Sequence, residues 1–179
     1  IIYKYFHQES IQLSMASGSN TRIQSFINGL TSLKNRFDVK EKDIISLVDS
    51  NRPFCSKQQL IDLKNKALKY GCACPGRPVV NGVAKISENK IVEVPNKEEF
   101  IEFVTPEFIQ CSELEKSLGI TENNLPNSLV EFFLQISNKP YVIESEDINA
   151  KLTYPEDLHY FEGLTKKYNI NIPEEINFD

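Results

Sequence analysis

Charged side chains at the end of an apolar run are the first places in this chain where chemistry could be done. In "DIISLVDSNRPF" the apolar stretch gives way to Asp49, then to Arg52, Pro53 and Phe54. A carboxylate at the carboxyl end of a buried strand lies where an open α/β sheet binds a ligand or a metal. The same residues also suit an ordinary turn, with Asp49 capping it and Arg52 pairing with the acid, and the pattern leaves both open. Lys151 poses a second choice. "INAKLT" alternates apolar and polar residues, so the lysine falls mid-strand, as a phosphate ligand or as the charged guard of an exposed edge. In "SGSNTRIQS", Gly18 and small hydroxyl residues precede a helix, where free N–H groups and the dipole favour an anion.

The elements that must position these residues follow from periodicity. "IIYKYF" reads as a strand, and "IQLSMA" alternates like a half-buried one. Ile23, Phe26, Ile27, Leu30 and Leu33 then recur at helical spacing. "DIISLV" has the composition of a strand buried in a parallel sheet. The helix "KQQLIDLKNKALKY" follows it, with Ser56 as N-cap and Gly71 as stop. Strands alternating with amphipathic helices predict right-handed crossovers and an open α/β sheet. "PVVNGVAKISENKIVEV" breaks the alternation as a hairpin arm around "SENK". Helical patterns return in "TPEFIQCSELEKSL" and "PNSLVEFFLQI", each with a proline near its start. "PYVIES" and "INAKLT" read as strands, and Thr153 with Glu156 as the capping box of a last helix.

Composition sets outer limits. A chain of 179 residues, 40% hydrophobic, can bury one core, so residues 1–179 are taken as one domain. No apolar run approaches the ~18 residues of a membrane span, and the net charge of −5, with lysines scattered among acids, disfavours nucleic-acid and membrane-surface binding. Ile1 stands where a start methionine would, and no signal-peptide pattern follows it; residues preceding Ile1 are therefore expected. Cys55, Cys72, Cys74 and Cys111 lack metal-ligand spacing with His7 or His159, and are expected as reduced, mostly packed thiols of a cytoplasmic protein.

Four stretches, in order, resemble the cytidylyltransferases that activate sugar-alcohol phosphates, the 2-C-methyl-D-erythritol 4-phosphate and ribitol-5-phosphate enzymes. The family's "GG-x-x-R-x-x-S-V-x-x-G-L" is matched by "SGSNTRIQSFINGL", and "HDAxRPF" by "VDSNRPF". "TPQ-x-F" is matched loosely by "TPEFI", and "N-I-K-x-T-x-P-E-D-L" by "NAKLTYPEDL". The resemblance spans roughly residues 10–168. It implies a Rossmann-like, open and mostly parallel sheet flanked by helices, with residues 78–95 as a dimerisation arm. It also implies transfer of CMP from CTP to a polyol phosphate with release of pyrophosphate. By the match, Asp49 would hold Mg²⁺, and Lys151 and Arg52 would be catalytic. Asn20, Arg22 and Ser25 would lie along the nucleotide. Thr105 and Lys97 would contact the acceptor, with Lys97 lent to the partner's site in a homodimer.

Departures from the pattern open other readings. The family's glycine-rich phosphate loop, with its arginine and lysine, would lie upstream of "IIYKYF", and the family histidine before the aspartate is Val48. Gly82 and Asn81 replace a threonine and an aspartate in the arm, and "LPN" (Leu125 to Asn127) replaces "TDD". Two lost hydroxyl contacts would cost on the order of 1 kcal/mol or more each if their partners stay buried. The candidates are therefore a polyol-phosphate cytidylyltransferase, an inactive domain kept as a dimeric binding or scaffolding unit, and a related nucleotidyltransferase with another phosphate acceptor.

Overall fold

Thr21 caps the first helix by accepting the Gln24 N–H at 3.2 Å, and α1 then runs over Arg22–Arg36. Its apolar stripe buries Ile23 and Leu30, with Phe26, Ile27 and Leu33 packed beside them, as their spacing predicts. The computed structural model describes residues 14–120, 125–136, 138–145 and 149–167. "IIYKYF" lies outside these, as do the first three residues of "IQLSMA"; residues 14–16 carry no strand. After β1 (Ile44–Leu47), Ser56 caps α2 (Lys57–Tyr70) and Gly71 ends it at φ 88°. A Cβ on Gly71 would sit 2.7 Å from the Phe133 ring, so both the left-handed backbone and the close packing call for glycine.

The chain continues through β2 (Cys72–Pro78), β3 (Lys85–Ser87) and β4 (Lys90–Glu93), a 3₁₀ turn (Lys97–Glu99), β5 (Ile101–Phe103) and β6 (Glu107–Gln110). It then forms α3 (Cys111–Ile120), α4 (Leu129–Gln135), β7 (Tyr141–Glu144) and α5 (Asp157–Lys167). In the main sheet, β2 carries β6 and β5 along one side and β7 along the other, because Ala73 faces both Phe108 and Tyr141, and Gly76 both Phe103 and Glu144. β1 pairs β6 antiparallel. Hence β1, β2 and β7 run one way, and β5 with β6, interrupted at residues 104–106, runs the other. The sheet is mixed rather than mostly parallel: β2 pairs β7 in parallel, while the β1–β6, β2–β6 and β2–β5 pairs are antiparallel. The hairpin β3–β4 stands apart as its own two-stranded sheet, turning at Glu88 and Asn89, both at positive φ.

Alternation along the strands feeds two layers. Ile45, Cys72 and Ile109 face α1, α3 and α4, where Leu114, Leu129, Phe132 and Phe133 complete the larger core. Ala73 and Phe108 face α2 through Leu63 and Ala67.

Three local expectations need correction. "TPEFIQC" is not the start of a helix: Glu107–Gln110 form β6, and α3 begins only at Cys111, because pairing with both β1 and β2 outweighs the helical apolar spacing. Among residues 149–153 there is no strand; these residues form a loop. The capping of α5 does not use Thr153 with Glu156. Instead the Asp157 carboxylate accepts the N–H groups of Thr153 and Tyr154 at 2.8 and 2.9 Å, and these bonds hold its pKa below the usual range.

Cys72, Cys74 and Cys111 are buried and Cys55 half-buried, all as free thiols. Burial pushes the Cys74 thiol up to about 12 and Cys72 higher still, so both are inert at neutral pH. Among the described residues, no helix is long and apolar enough to cross a membrane.

Candidate active site

The loop after β1 and the loop after β7 meet at the carboxyl edge of the sheet. The loop after β1 turns at once, Arg52 N–H bonding the Asp49 carbonyl at 3.1 Å. Arg52 Nη1 then donates to the Asn149 carbonyl at 2.7 Å, and Asn51 and Leu152 exchange two bonds, at 2.7 and 2.9 Å. Asn149 is the pin of this joint. Only 3% exposed, its amide accepts the Phe54 N–H at 3.1 Å and donates to the Thr105 carbonyl at 2.8 Å. Phe54 stacks obliquely on Phe161 of α5, centroids 5.0 Å apart, which seats the last helix against the same joint.

Around a cavity of about 240 Å³ at this edge stand Arg22, Asp49, Arg52, Thr105, Glu107 and Lys151. The two alternatives left open for Asp49 both hold: it sits at a strand end facing a cavity, and it is paired. Its Oδ1 meets Arg22 Nε and its Oδ2 meets Arg52 Nε, each at 3.3 Å. Its backbone N–H donates to the Thr105 hydroxyl at 3.3 Å, leaving that hydroxyl's proton available to a ligand. Lys151 is exposed, follows a loop rather than occupying a strand, and has no hydrogen bond or ion pair among the described residues. A second cavity of about 460 Å³, which Arg77, Ser145 and Tyr160 also line, adjoins the first through shared Arg52 and Lys151.

Not every expected residue joins them. Asn20 is exposed before the α1 cap, and Ser25 spends its hydroxyl on the same turn, accepting from Ser19 N–H at 2.8 Å and donating to the Thr21 carbonyl at 2.9 Å. Lys97 sits in the 3₁₀ turn beside the arm, its Nζ donating to the Val80 carbonyl at 3.2 Å. None of the three lines the smaller cavity.

Two residues that sequence reasoning left out are central. Asn149 opens the matched "NAKLTYPEDL", so its signal was present. Glu107 stands within the matched "TPEFI", at the place of the family's glutamine, but an acid amid apolar residues does not show which partner it meets. It is 1% exposed; one oxygen lies 3.4 Å from Arg22 Nη2 and the other accepts the Val130 N–H at 3.0 Å. Burial raises its pKa, against the opposing pull of the Val130 and Leu129 N–H groups and of Arg22.

No group of three or more His, Cys, Asp or Glu side chains that could hold a metal occurs among the described residues. A cage built of protein ligands alone is therefore not formed by these residues. A single carboxylate is enough for an ion that takes its remaining ligands from phosphate and water, as Mg²⁺ does, and Asp49 would fit that role once it gives up its bonds to Arg22 and Arg52.

A family model, 2-C-methyl-D-erythritol 4-phosphate cytidylyltransferase, matches residues 4–166. A protein of that name from Thermosipho melanesiensis is 31% identical over 169 residues, covering 92% of this chain and 71% of its own length. The one from Clostridium botulinum is 28% identical over 162 residues, with 86% and 67% covered. The D-ribitol-5-phosphate cytidylyltransferase of Xenopus tropicalis is 25% identical over 184 residues, with 93% and 42% covered. The chain thus spans about two thirds of the length of the Clostridium botulinum protein, and 61% of the one from Clostridium tetani. Among solved structures, the 4-diphosphocytidyl-2C-methyl-D-erythritol synthase of Anaerococcus prevotii superposes with a TM-score of 0.74 at 20% identity, covering 92% of this chain and 73% of that one. The Francisella tularensis cytidylyltransferase gives 0.67 at 21% identity, with 88% and 76% covered. At those identities the likeness speaks for the fold.

Proposed function

Because the chain belongs to the 2-C-methyl-D-erythritol 4-phosphate cytidylyltransferase family, we propose that the protein transfers CMP from CTP to a sugar-alcohol phosphate of the methylerythritol or ribitol type, releasing pyrophosphate. The observation that supports this most is the convergence of Arg22, Asp49, Arg52, Thr105 and Lys151 on one cavity from widely separated stretches of chain.

The chemistry asks for positioning and charge compensation more than for proton transfer. An oxygen of the acceptor phosphate attacks the α-phosphorus of CTP. The bond between that phosphorus and the bridging oxygen breaks in line, and pyrophosphate carries off the electron pair. Lys151, exposed beside the cavity, compensates charge on the attacking phosphate. Arg52, fixed by Asp49 and the Asn149 carbonyl, faces both cavities and compensates charge between the two substrates. Arg22 lies along the nucleotide, and the Thr105 hydroxyl donates to the acceptor. Mg²⁺ held by Asp49 would supply electrostatic neutralisation of the triphosphate. Asn20 and Ser25 belong to the nucleotide side by shaping the turn before α1. Lys97 serves the partner's site in a homodimer joined through the arm of residues 78–95, a role supported by the exposure of Val80, Ile86, Ile91 and Val94 there.

The scaffold reading gives no reason for Arg22, Arg52 and Lys151 to gather with Asp49 and Glu107 around one cavity at the sheet edge. The decisive test is pyrophosphate release from CTP and Mg²⁺, with 2-C-methyl-D-erythritol 4-phosphate and ribitol 5-phosphate offered separately to the intact protein. Release that depends on one acceptor supports the proposal. No release with either, under conditions where CTP binds, refutes it.

A further inference from the structure

We propose that Glu107 is the positioning residue of the nucleotide site: it tethers the Arg22 guanidinium over the smaller cavity, so that the arginine meets the triphosphate from a fixed place. This rests on the nucleotidyl-transfer reading above.

Arg22 is the first residue of α1 and its side chain is 46% exposed. An arginine so exposed keeps one orientation only where its planar fork is tied at several points. Three ties hold it: Asp49 Oδ1 at 3.3 Å from Nε, the Asn127 carbonyl at 3.4 Å from Nη1, and Glu107 Oε1 at 3.4 Å from Nη2. They are not equivalent. Asn127 is an exposed residue in the turn before α4. Asp49 exchanges its arginine partners when a metal–nucleotide arrives. Glu107 alone is both anionic and immobile, its side chain 2% exposed, anchored on β6 and bonded through its other oxygen to the start of α4 at Val130. A carboxylate this deeply buried needs a charged partner, and Arg22 is the cation within reach. When Asp49 turns to a ligand, the Glu107 tether stays, leaving Arg22 Nε aimed into the cavity. Glu107 faces the arginine and backbone amides, so it acts through Arg22 and not on substrate.

The test is calorimetric titration of Mg²⁺·CTP into the intact wild-type protein, Glu107→Gln, Arg22→Ala and the double variant. The Gln side chain keeps the volume and an acceptor for Val130. It is expected to weaken binding about tenfold, the scale of one charge-assisted hydrogen bond, while kcat at saturating CTP stays within about threefold. In the Arg22→Ala background the Glu107 change is expected to add nothing. Equal or tighter binding in Glu107→Gln, or full additivity in the double variant, overturns the proposal. Glu107→Asp, which keeps the charge but draws it back from Arg22, gives the same reading at smaller amplitude and serves if the Gln variant does not fold. A nucleotide-free measurement separates this inference from the reading it rests on. The Arg22 Nη2–H NMR signal, from the group that faces Glu107, should exchange slowly with water in the wild type and be lost in Glu107→Gln. If the wild type binds no CTP, the functional reading fails, and the NMR result alone still decides whether Glu107 holds Arg22.

Discussion

At the carboxyl edge of the sheet Asn149 is 3% exposed with its amide bonded at both ends, whereas in the hairpin arm Ile86 and Ile91 leave 68% and 66% of their surface in water. The first region is over-determined from within the chain: residues 49–54, 105 and 149–152 are tied by backbone and side-chain bonds before any substrate arrives. The second forms a separate two-stranded sheet whose strand residues are all exposed, and such a hairpin is marginal alone. Burying an isoleucine contributes about 1.5–3 kcal/mol, which this arm does not obtain from its own chain. The contrast teaches that preorganisation of the site is intramolecular, while the arm leaves its apolar side chains exposed for the second copy of the proposed homodimer.

Breaking the comparison at its chemical end should give the largest effect. Lys151→Ala is expected to lower kcat about 10²- to 10³-fold, the scale of losing one preorganised charge at a transition state, with an unchanged unfolding midpoint because the lysine is exposed and makes no bond among the described residues. A denaturation curve beside the turnover assay checks both halves. Next comes the arm. Ile86→Asp with Ile91→Asp should turn a dimer into a monomer in sedimentation velocity and cut turnover about tenfold or more through the loss of Lys97 from the partner's site. A monomeric variant with full turnover would remove Lys97 from the chemistry.

Asn149→Ala sharpens the other half. It leaves the Phe54 N–H and the Thr105 carbonyl without their partner, and should cost about 2–4 kcal/mol in urea unfolding. Little loss would mean that the joint is held elsewhere. The smallest effect is expected at Arg77, whose ion pair with Glu102 is about half exposed on both sides. Arg77→Ala should change stability by less than about 1 kcal/mol, measured in the same urea series.

Local patterns were legible wherever one element satisfied its own needs. The Ser56 cap and Gly71 stop of α2, and the apolar stripe of α1, could be read because capping and amphipathicity act within a few residues. "TPEFIQC" misled because its strand is specified by partners in β1 and β2, distant in sequence, and its apolar spacing is compatible with either structure. "INAKLT" shows the reverse: residues 149–153 alternate like a strand, yet bonds to Asn51, Arg52 and Phe54 make them a loop. The site was legible in Asp49, Arg52, Thr105, Arg22 and Lys151, whose charges or hydroxyl lie in motif-bearing loops. Glu107 lies in the matched "TPEFI" yet was not singled out, since a buried acid reveals its use only when the fold brings Arg22 and the start of α4 beside it.

The central claim is that the charge at the end of β1 receives a metal–nucleotide. It is tested most directly by titrating CTP with Mg²⁺ calorimetrically into the intact protein and into Asp49→Asn. Saturable binding that weakens about tenfold or more in the variant, and that falls away when Mg²⁺ is chelated, is the predicted result. Equal affinity in both proteins, or no binding to the wild type, would contradict it and reduce Asp49 to the partner of Arg22 and Arg52.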